Sequence, residues 1–426
     1  MISASEAHEK ILASVRSLSS EKVSLIDALY RYLASSLLAP IDLPVFDHSA
    51  MDGYALCHHD TEVASVGHPV SLKIVGTLAA GDPLRTTPLQ PGQAIRIMTG
   101  APIPPGADAV IPFEECVMGS SLDMRQVSQE SLKPVSCQDL TQMLVVTQPL
   151  KPGRHVRKVG EDIVEGELVL SRGTRITSRG IALLSSLGLE HVWVGAKPKT
   201  RVIVTGDELV KPGVPLKEGQ IYNSNGPSIV AALEEIGITP DEILWVRDNE
   251  KQLEDCFKAS PGVDVILCMG GVSAGDYDFV PKILAKMGAE ILFHKIAIKP
   301  GKPLLFARFD QQLIFGLPGN PVSAWVTFDR FVRPALLKMM GAGECMRPRR
   351  LARATEVCVG SLGKEDYLRA TLQYCDGEYL ARPAGPQGSA RLKTLADANG
   401  VILIPETKDR IGIGESVEVE LWEELP

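Results

Sequence analysis

No two of the eight cysteines form a C-x-x-C pair, and none of the eight histidines has metal-ligand spacing. These absences argue against a disulfide framework and a cysteine-rich zinc module, and the thiols read as reduced and intracellular. The one cluster, Cys57-His58-His59-Asp60, reads as a solvated loop rather than a zinc site. No apolar run approaches the roughly 18 residues of a membrane span. Basic charge is not in excess either. The formal net charge is −8, so there is no general footprint for nucleic acid, and an anionic ligand has to be held by local basic residues. Glu6, Glu9, Lys10 and Arg16 do not fit a secretory leader. Internal repeats and low-complexity tracts are lacking. A soluble, cytoplasmic protein is expected, with no membrane and no nucleic-acid partner.

What is present is a chain of 426 residues, 45% hydrophobic and 23% charged, long enough for two to four domains at roughly 150 residues each. Its 38 glycines and 30 prolines suggest many turns and β-rich parts. Ser3-Ala4-Ser5-Glu6 has capping-box spacing before the stripe Ala7, Ile11, Val15 and Leu18. The stripe Leu25, Leu29 and Leu33 predicts a second helix from Val23 to Leu38, ending before Pro40. Residues 47–150 hold short apolar runs broken by Gly and Pro, the pattern of a β-rich module. From 176 to 340, strand and helix patterns alternate, which argues for a parallel sheet with helices on both faces. The tail is β-patterned again: Asp376-Gly377 between Tyr374 and Tyr379 signals a hairpin. Val417, Val419 and Leu421 alternate with Glu418 and Glu420 as a half-exposed strand.

In open parallel sheets, ligands bind beyond the carboxyl ends of the strands. Four such ends carry unusual residues: Gly206-Asp207-Glu208, Arg247-Asp248, the loop from Gly270 to Asp278, and Pro318-Gly319-Asn320-Pro321-Val322-Ser323. Gly270, Gly271 and Gly275 allow backbone N–H groups to approach a phosphate, although a plain tight turn would also explain a Gly-Gly pair. The Ser273 hydroxyl and the carboxylates of Asp276 and Asp278 favour a ligand, with a hard cation such as Mg²⁺ between carboxylate and phosphate. Asn320 and Pro321 suit the cap and first residue of a helix whose free N–H groups face an anion; capping alone would also account for them. Lys295 and Lys299, four apart in an extended run, fall on one side, with Lys302 on a stiff turn. Lysines guarding a strand edge are the plainer alternative. Together the loops describe a phosphorylated ligand, a divalent cation and a lysine-rich anion site.

The order Asp47-His48-Ser49-Ala50-Met51-Asp52-Gly53-Tyr54-Ala55, then Arg96-Ile97-Met98-Thr99-Gly100-Ala101, then Gly160-Glu161-Asp162-Ile163 closely resembles the molybdopterin molybdenumtransferases, the MoeA family that includes the gephyrin E domain. Thr205–Leu209, Gly270–Asp278, Lys299–Pro303 and Leu317–Ser323 continue the likeness in the same order, so it spans essentially the whole chain. The resemblance implies a multidomain α/β plus β protein: a doubly wound molybdopterin-binding α/β domain (176–340), a β-rich insertion (47–150) and a C-terminal β-barrel (345–426). It adds an elongated subdomain from 21–46 and 151–175, and an N-terminal helix (1–20) packing on the α/β domain. It also implies a Mg²⁺-dependent transferase that inserts molybdenum from molybdate into adenylyl-molybdopterin, releasing AMP, and that works as a homodimer. Transient contact with molybdopterin adenylyltransferase and other cofactor-pathway proteins is implied as well.

Carried over by motif, Asp52, Thr99 and Asp162 contribute from the first subdomains. Glu208, Asp248 and Asp278 are the acidic members of the α/β site, Glu208 and Asp278 being the metal ligands. Lys295 and Lys299 join the catalytic set, while Lys299, Lys302 and Ser323 hold molybdate with Arg369 and Ser389 or Thr394 of the barrel. Gly270, Gly271, Ser273, Gly275, Pro318, Gly319, Asn320 and Pro321 line the substrate. Met269, His48 and Asn223 depart from the residues common in the family, and Met269 removes one hydroxyl from the phosphate loop. Nucleotide transfer by a related α/β domain and a scaffold role are the alternatives. The flanking motifs argue against the first, and the retained acids and lysines against the second.

Overall fold

The computed structural model describes residues 1–119, 143–260, 262–272 and 279–423. These divide into two compact units: 1–36 with 171–182 and 189–426, and 37–170 with 183–188.

The first unit is organised by a six-stranded sheet in the order Glu242–Val246, Thr200–Thr205, Val265–Met269, Gln312–Leu317, Leu305–Phe309, Glu290–His294. The first four strands are parallel and the last two antiparallel. The expected α/β layering is therefore present, with an antiparallel edge on the parallel sheet. Val265–Met269 is buried throughout, as a central strand covered on both faces must be. Alternation sorts its neighbours: Val202, Val204, Leu267 and Met269 share one core with Ile229 and Leu233 of helix Asn225–Glu235. Ile203, Ile266 and Cys268 share another with Leu253, Phe257, Ile283 and Leu284 of helices Glu250–Lys258 and Val280–Lys286. Burying each such aliphatic side chain is worth about 1.5–3 kcal/mol before chain entropy is charged against it. The N-terminal helix Ala4–Ser14 starts as its capping spacing requires, Ser3 accepting from the Glu6 N–H, and buries Ala4, Ala7 and Ile11.

The tail closes into a barrel. Glu365–Cys375 pairs with Glu378–Pro383, then in turn come Arg349–Ala354, Ser416–Leu421 and Gly400–Ile404, which pairs back onto Glu365–Cys375. The Asp376-Gly377 hairpin forms with both residues at positive φ, the conformation Asp-Gly favours. Ile298–Lys299 adds in parallel to Glu365–Asp366, joining the α/β layer to the barrel. Tyr367, Val401 and Leu403 belong to the same core as the helical stretch Pro321–Met339.

Two local expectations fail here. Val23–Leu38 is not a helix: Ser20–Ser24 pairs with His191–Gly195, Tyr30 has positive φ, and Leu29 is exposed, so the fourfold Leu spacing never becomes a buried stripe. Sheet pairing with the distant segment His191–Gly195 overrides the local pattern. Glu420 is not on a solvated face either. It is wholly buried against Arg330 and Arg349, two cations that the linear sequence does not place beside it.

The second unit holds a six-stranded sheet, Ala109–Pro112, Gly53–Leu56, Gln93–Ile97, Val70–Leu78, Met143–Val146, Val117–Gly119. It carries a core on each face, one around Tyr54, Leu56, Leu72 and Ile111, the other around Ala55, Ile95, Ile97 and Val110. Gly53 is required by close approach: an added Cβ would lie 2.0 Å from the Ile111 carbonyl oxygen. Segments 37–38 and 168–170 pair, as do 48–49 and 156–157, so two distant stretches of chain share this unit.

Candidate active site

The chain leaves Thr200–Thr205, crosses to Glu242–Val246 at the edge, then returns to Val265–Met269 on the other side. Connections diverge there, which opens a crevice at the carboxyl ends of the strands. A cleft of about 580 Å³ occupies this place, and Glu208, Asp248, Gly270, Gly271, Pro318, Gly319, Asn320 and Pro321 all line it. The sequence-predicted strand-end loops thus converge on one cavity.

Its acidic side is built, not incidental. Thr205 Oγ1 donates to Asp248 Oδ1 at 2.5 Å, fixing one carboxylate oxygen. Glu208 is exposed on the neighbouring loop. The glycine loop of the same cleft has Gly270 at φ +93, and a Cβ there would sit 2.7 Å from the Thr205 carbonyl oxygen. Gly271 also has positive φ, and His294 Nε2, at the end of the antiparallel edge strand, donates to the Val272 carbonyl at 2.7 Å and holds the loop. Ser273, Gly275 and Asp278 lie outside the described residues.

Asn320 precedes the helix Pro321–Thr327, but its side chain makes no capping hydrogen bond. Capping therefore does not account for an asparagine here. Gly319 is instead tied by Asn225, whose Nδ2 donates to the Gly319 carbonyl at 2.7 Å and whose Oδ1 is buried without a partner among the described residues.

The lysines do not behave as one extended row. The strand ends at His294, and Lys295 has φ +76, so the backbone turns and Lys295 and Lys299 lose the shared side that regular alternation would give. Lys299 Nζ donates to Ser361 Oγ at 3.0 Å and lies 3.7 Å from Asp366 Oδ1, a wholly buried carboxylate. Lys302 is exposed on a turn whose backbone is pinned by the Ile296 N–H on its carbonyl.

Arg369 is the most unusual cation. It is completely buried, and its polar partners are neutral: Nε donates to Thr394 Oγ1, and Nη2 to the carbonyls of Pro386 and Gly388. Nη1 is buried with no partner among the described residues, and burial pushes the pKa down to about 10. The loop it organises continues to Ser389, whose carbonyl accepts from the Val322 N–H beside buried Ser323, and to Ala390, which lines the cleft. Arg369, Thr394, Ser389 and Ser323 are therefore linked through this loop, of which only Ala390 lines the cleft; Lys295, Lys299 and Lys302 are not among its lining residues.

In the second unit Asp52 Oδ1 accepts from both the backbone N–H (2.7 Å) and the hydroxyl (2.8 Å) of Thr99. These two bonds hold the carboxyl below its ordinary range. Asp162 is exposed on a turn fixed by its N–H on the Leu43 carbonyl, and among the described residues no hydrogen bond joins it to that pair.

The chain matches three family models in succession: MoeA N-terminal region (domain I and II) over residues 2–188, "Probable molybdopterin binding domain" over 201–338, and MoeA C-terminal region (domain IV) over 352–422. It is 33% identical to the molybdopterin molybdenumtransferase of Haemophilus influenzae, with 100% of both chains covered. This chain belongs to the molybdopterin molybdenumtransferase (MoeA) family. The Bacillus subtilis molybdopterin molybdenumtransferase is 34% identical over 95% of this chain and 90% of that one. The solved molybdopterin biosynthesis MoeA protein of Pyrococcus horikoshii is 34% identical, with a TM-score of 0.79 and 100% of both chains covered. Sequence reasoning passed over Asn225, which lines the cleft, and the two partners of Lys299. Asn225 could have been suspected from Ser224-Asn225-Gly226 at a helix start. Asp366 and Ser361, facing Lys299, had no local signal.

Proposed function

We propose that this chain transfers molybdenum from molybdate into adenylyl-molybdopterin with release of AMP, in a Mg²⁺-dependent reaction. It is a transferase of molybdenum cofactor biosynthesis. The observation that supports the finer reading is Arg369: a buried guanidinium of strand Glu365–Cys375 with no carboxylate partner among the described residues, bonded to the loop whose Ala390 lines an acidic, glycine-lined cleft. Molybdate is a dianion and the adenylylated pterin carries phosphates, so bringing them together is unfavourable. Opposite unit charges at 4 Å gain about 4 kcal/mol at an effective dielectric near 20, so Arg369, Lys299 and Lys302 can offset much of that repulsion. Lys295, Ser323 and the hydroxyl of Ser389 or Thr394 complete the proposed anion site.

Oxygen-only, carboxylate-rich donors suit Mg²⁺. Asp248 keeps one carboxylate oxygen unengaged by Thr205, and Glu208 stands on the adjoining loop of the same cleft, so the residues present fit the ion. Glu208 and Asp278 are its proposed ligands, with Asp248 adding the charge of a further acid in the same cleft, and the ion would neutralise phosphate charge during AMP release. Gly270 and Gly271, with Ser273 and Gly275, are proposed to seat the phosphate, and Pro318–Pro321 the remainder of the pterin substrate. Asp52, Thr99 and Asp162 are proposed as the catalytic contribution of the second unit. A homodimer in the cytoplasm is expected, supplied with substrate through transient contact with an adenylylating enzyme. The test is AMP release from adenylyl-molybdopterin with and without molybdate and Mg²⁺. AMP release that ignores molybdate refutes the proposal, and light scattering at 46.0 kDa refutes the dimer.

A further inference from the structure

The turn at Cys57, read from sequence as a solvated loop, is only partly so. His58 has a side chain just 16% exposed, and its polar groups are engaged by a residue 50 positions away. Asp108 Oδ1 accepts from the His58 backbone N–H at 2.8 Å, and Oδ2 lies 2.5 Å from His58 Nδ1. Asp108 is itself fixed by its N–H on the Leu56 carbonyl, and its carbonyl accepts from Gly153. The turn is fixed from the other side, since Thr61 Oγ1 donates to the His58 carbonyl and accepts from the Leu150 N–H. The sequence shows Cys57 and His58 together; the fold adds a carboxylate to them.

We infer that Cys57, His58 and Asp108 form a binding site for a borderline divalent cation of the Zn²⁺ class. One ligand atom of each lies within 4.8 Å of the other two, and His58, His59 and Glu62 form an overlapping set under the same limit. Bonds of about 2.0–2.3 Å to a tetrahedral ion draw donors to roughly 3.3–3.8 Å of one another, a side-chain adjustment of about an ångström. Thiolate, imidazole and carboxylate together suit Zn²⁺ or Co²⁺ and not Mg²⁺. His59, whose ring centroid lies 3.9 Å from that of His58, is engaged by Glu62 through Nδ1 at 2.6 Å, so water would fill the fourth position. Binding replaces the thiol proton with the metal bond, the proton passing to solvent, so affinity falls as pH is lowered. The ion would clamp the turn at residues 57–61 to the start of strand Ala109–Pro112. This site is independent of the proposed transfer reaction.

The test uses the full chain, stripped with a chelator and dialysed. Zn²⁺ alone is titrated calorimetrically, and Co²⁺ alone is followed by visible absorption. The expected result is one saturable equivalent, a tetrahedral Co²⁺ spectrum with a thiolate charge-transfer band, and a higher melting temperature with Zn²⁺. Cys57→Ser should remove the band, weaken Zn²⁺ about tenfold or more, and leave metal-free melting unchanged, because Cys57 is not part of the His58–Asp108 clamp. Cys375→Ser, at an exposed thiol elsewhere, should leave all three readouts as in the parent. Absence of saturable Zn²⁺ binding, or a charge-transfer band that survives Cys57→Ser, overturns the assignment.

Discussion

Asp366 Oδ1 lies 3.7 Å from Lys299 Nζ; the carboxylate is wholly buried and the lysine half exposed. Burial raises the carboxyl pKa, and Lys299 pulls it back. The lysine proposed to meet molybdate is therefore also the counter-ion of a buried acid, fixed across the strand pairing Lys299 to Asp366. Lys299→Ala should then weaken molybdate-dependent AMP release and also destabilise the fold, by about 1–3 kcal/mol for an unpartnered buried charge. Adding Asp366→Asn should restore melting but not AMP release. A double variant that recovers both would reduce Lys299 to a structural counter-ion.

Cation and anion sites should separate kinetically. Lys302→Ala removes an exposed charge without touching the backbone bond that shapes its turn. It should raise the half-saturating molybdate about ten- to a hundredfold while half-saturation by the pterin substrate hardly moves. Asp248→Asn retains the oxygen that accepts from Thr205 and loses the charge, so it should shift the Mg²⁺ requirement and leave the molybdate curve in place. The two-site reading does not survive if both variants shift the same titration.

Most of this cleft was legible because strand-end loops are read in order: buried apolar runs fix where strands stop, and Gly, Asp and Pro there are conspicuous. What was hidden is non-local. Glu420 looks solvated in a Val-Glu-Val-Glu strand, and only the fold reveals Arg330 and Arg349 beside it. Removing one partner of such a buried pair costs about 3–5 kcal/mol, so the exception to alternation is energetically expensive. Asp108 and Asp366 were missed for the same reason, being contributed by distant segments of the chain. Lys295 was misjudged differently: a single left-handed residue inside an apparent strand breaks the side-to-side count.

The Asp52–Thr99 pair gives a graded test. Thr99→Val removes the hydroxyl bond and keeps the backbone one, so Asp52 should stay folded in place with its pKa raised part of the way to the ordinary value. Activity should drop by less than about tenfold, in keeping with one neutral-donor bond. Asp52→Ala should abolish AMP release with melting within about 0.5 kcal/mol of the parent, as expected for an exposed turn. An active Asp52→Ala would remove this pair from the proposed chemistry.

Acid sensitivity should trace to His8. Its ring stacks on Phe331 at 4.3 Å between centroids, and Nε2 donates to the Arg330 carbonyl at 2.6 Å, so that nitrogen carries the proton in the neutral ring. Burial first, then the nearby Arg330 charge, lowers its pKa from 6.5 to about 4. Because the folded value lies below the unfolded one, the unfolded chain binds the extra proton between those limits. Stability is thus fully present above pH 6.5 and is lost as pH falls toward 4, by up to about 3 kcal/mol. His8→Gln keeps a donor to the carbonyl and removes the titration. Melting temperatures at pH 7.5 and pH 5 should therefore differ less in the variant than in the parent, with similar values at pH 7.5. Equal acid losses in the two proteins would show that carboxylates elsewhere, not His8, set the slope.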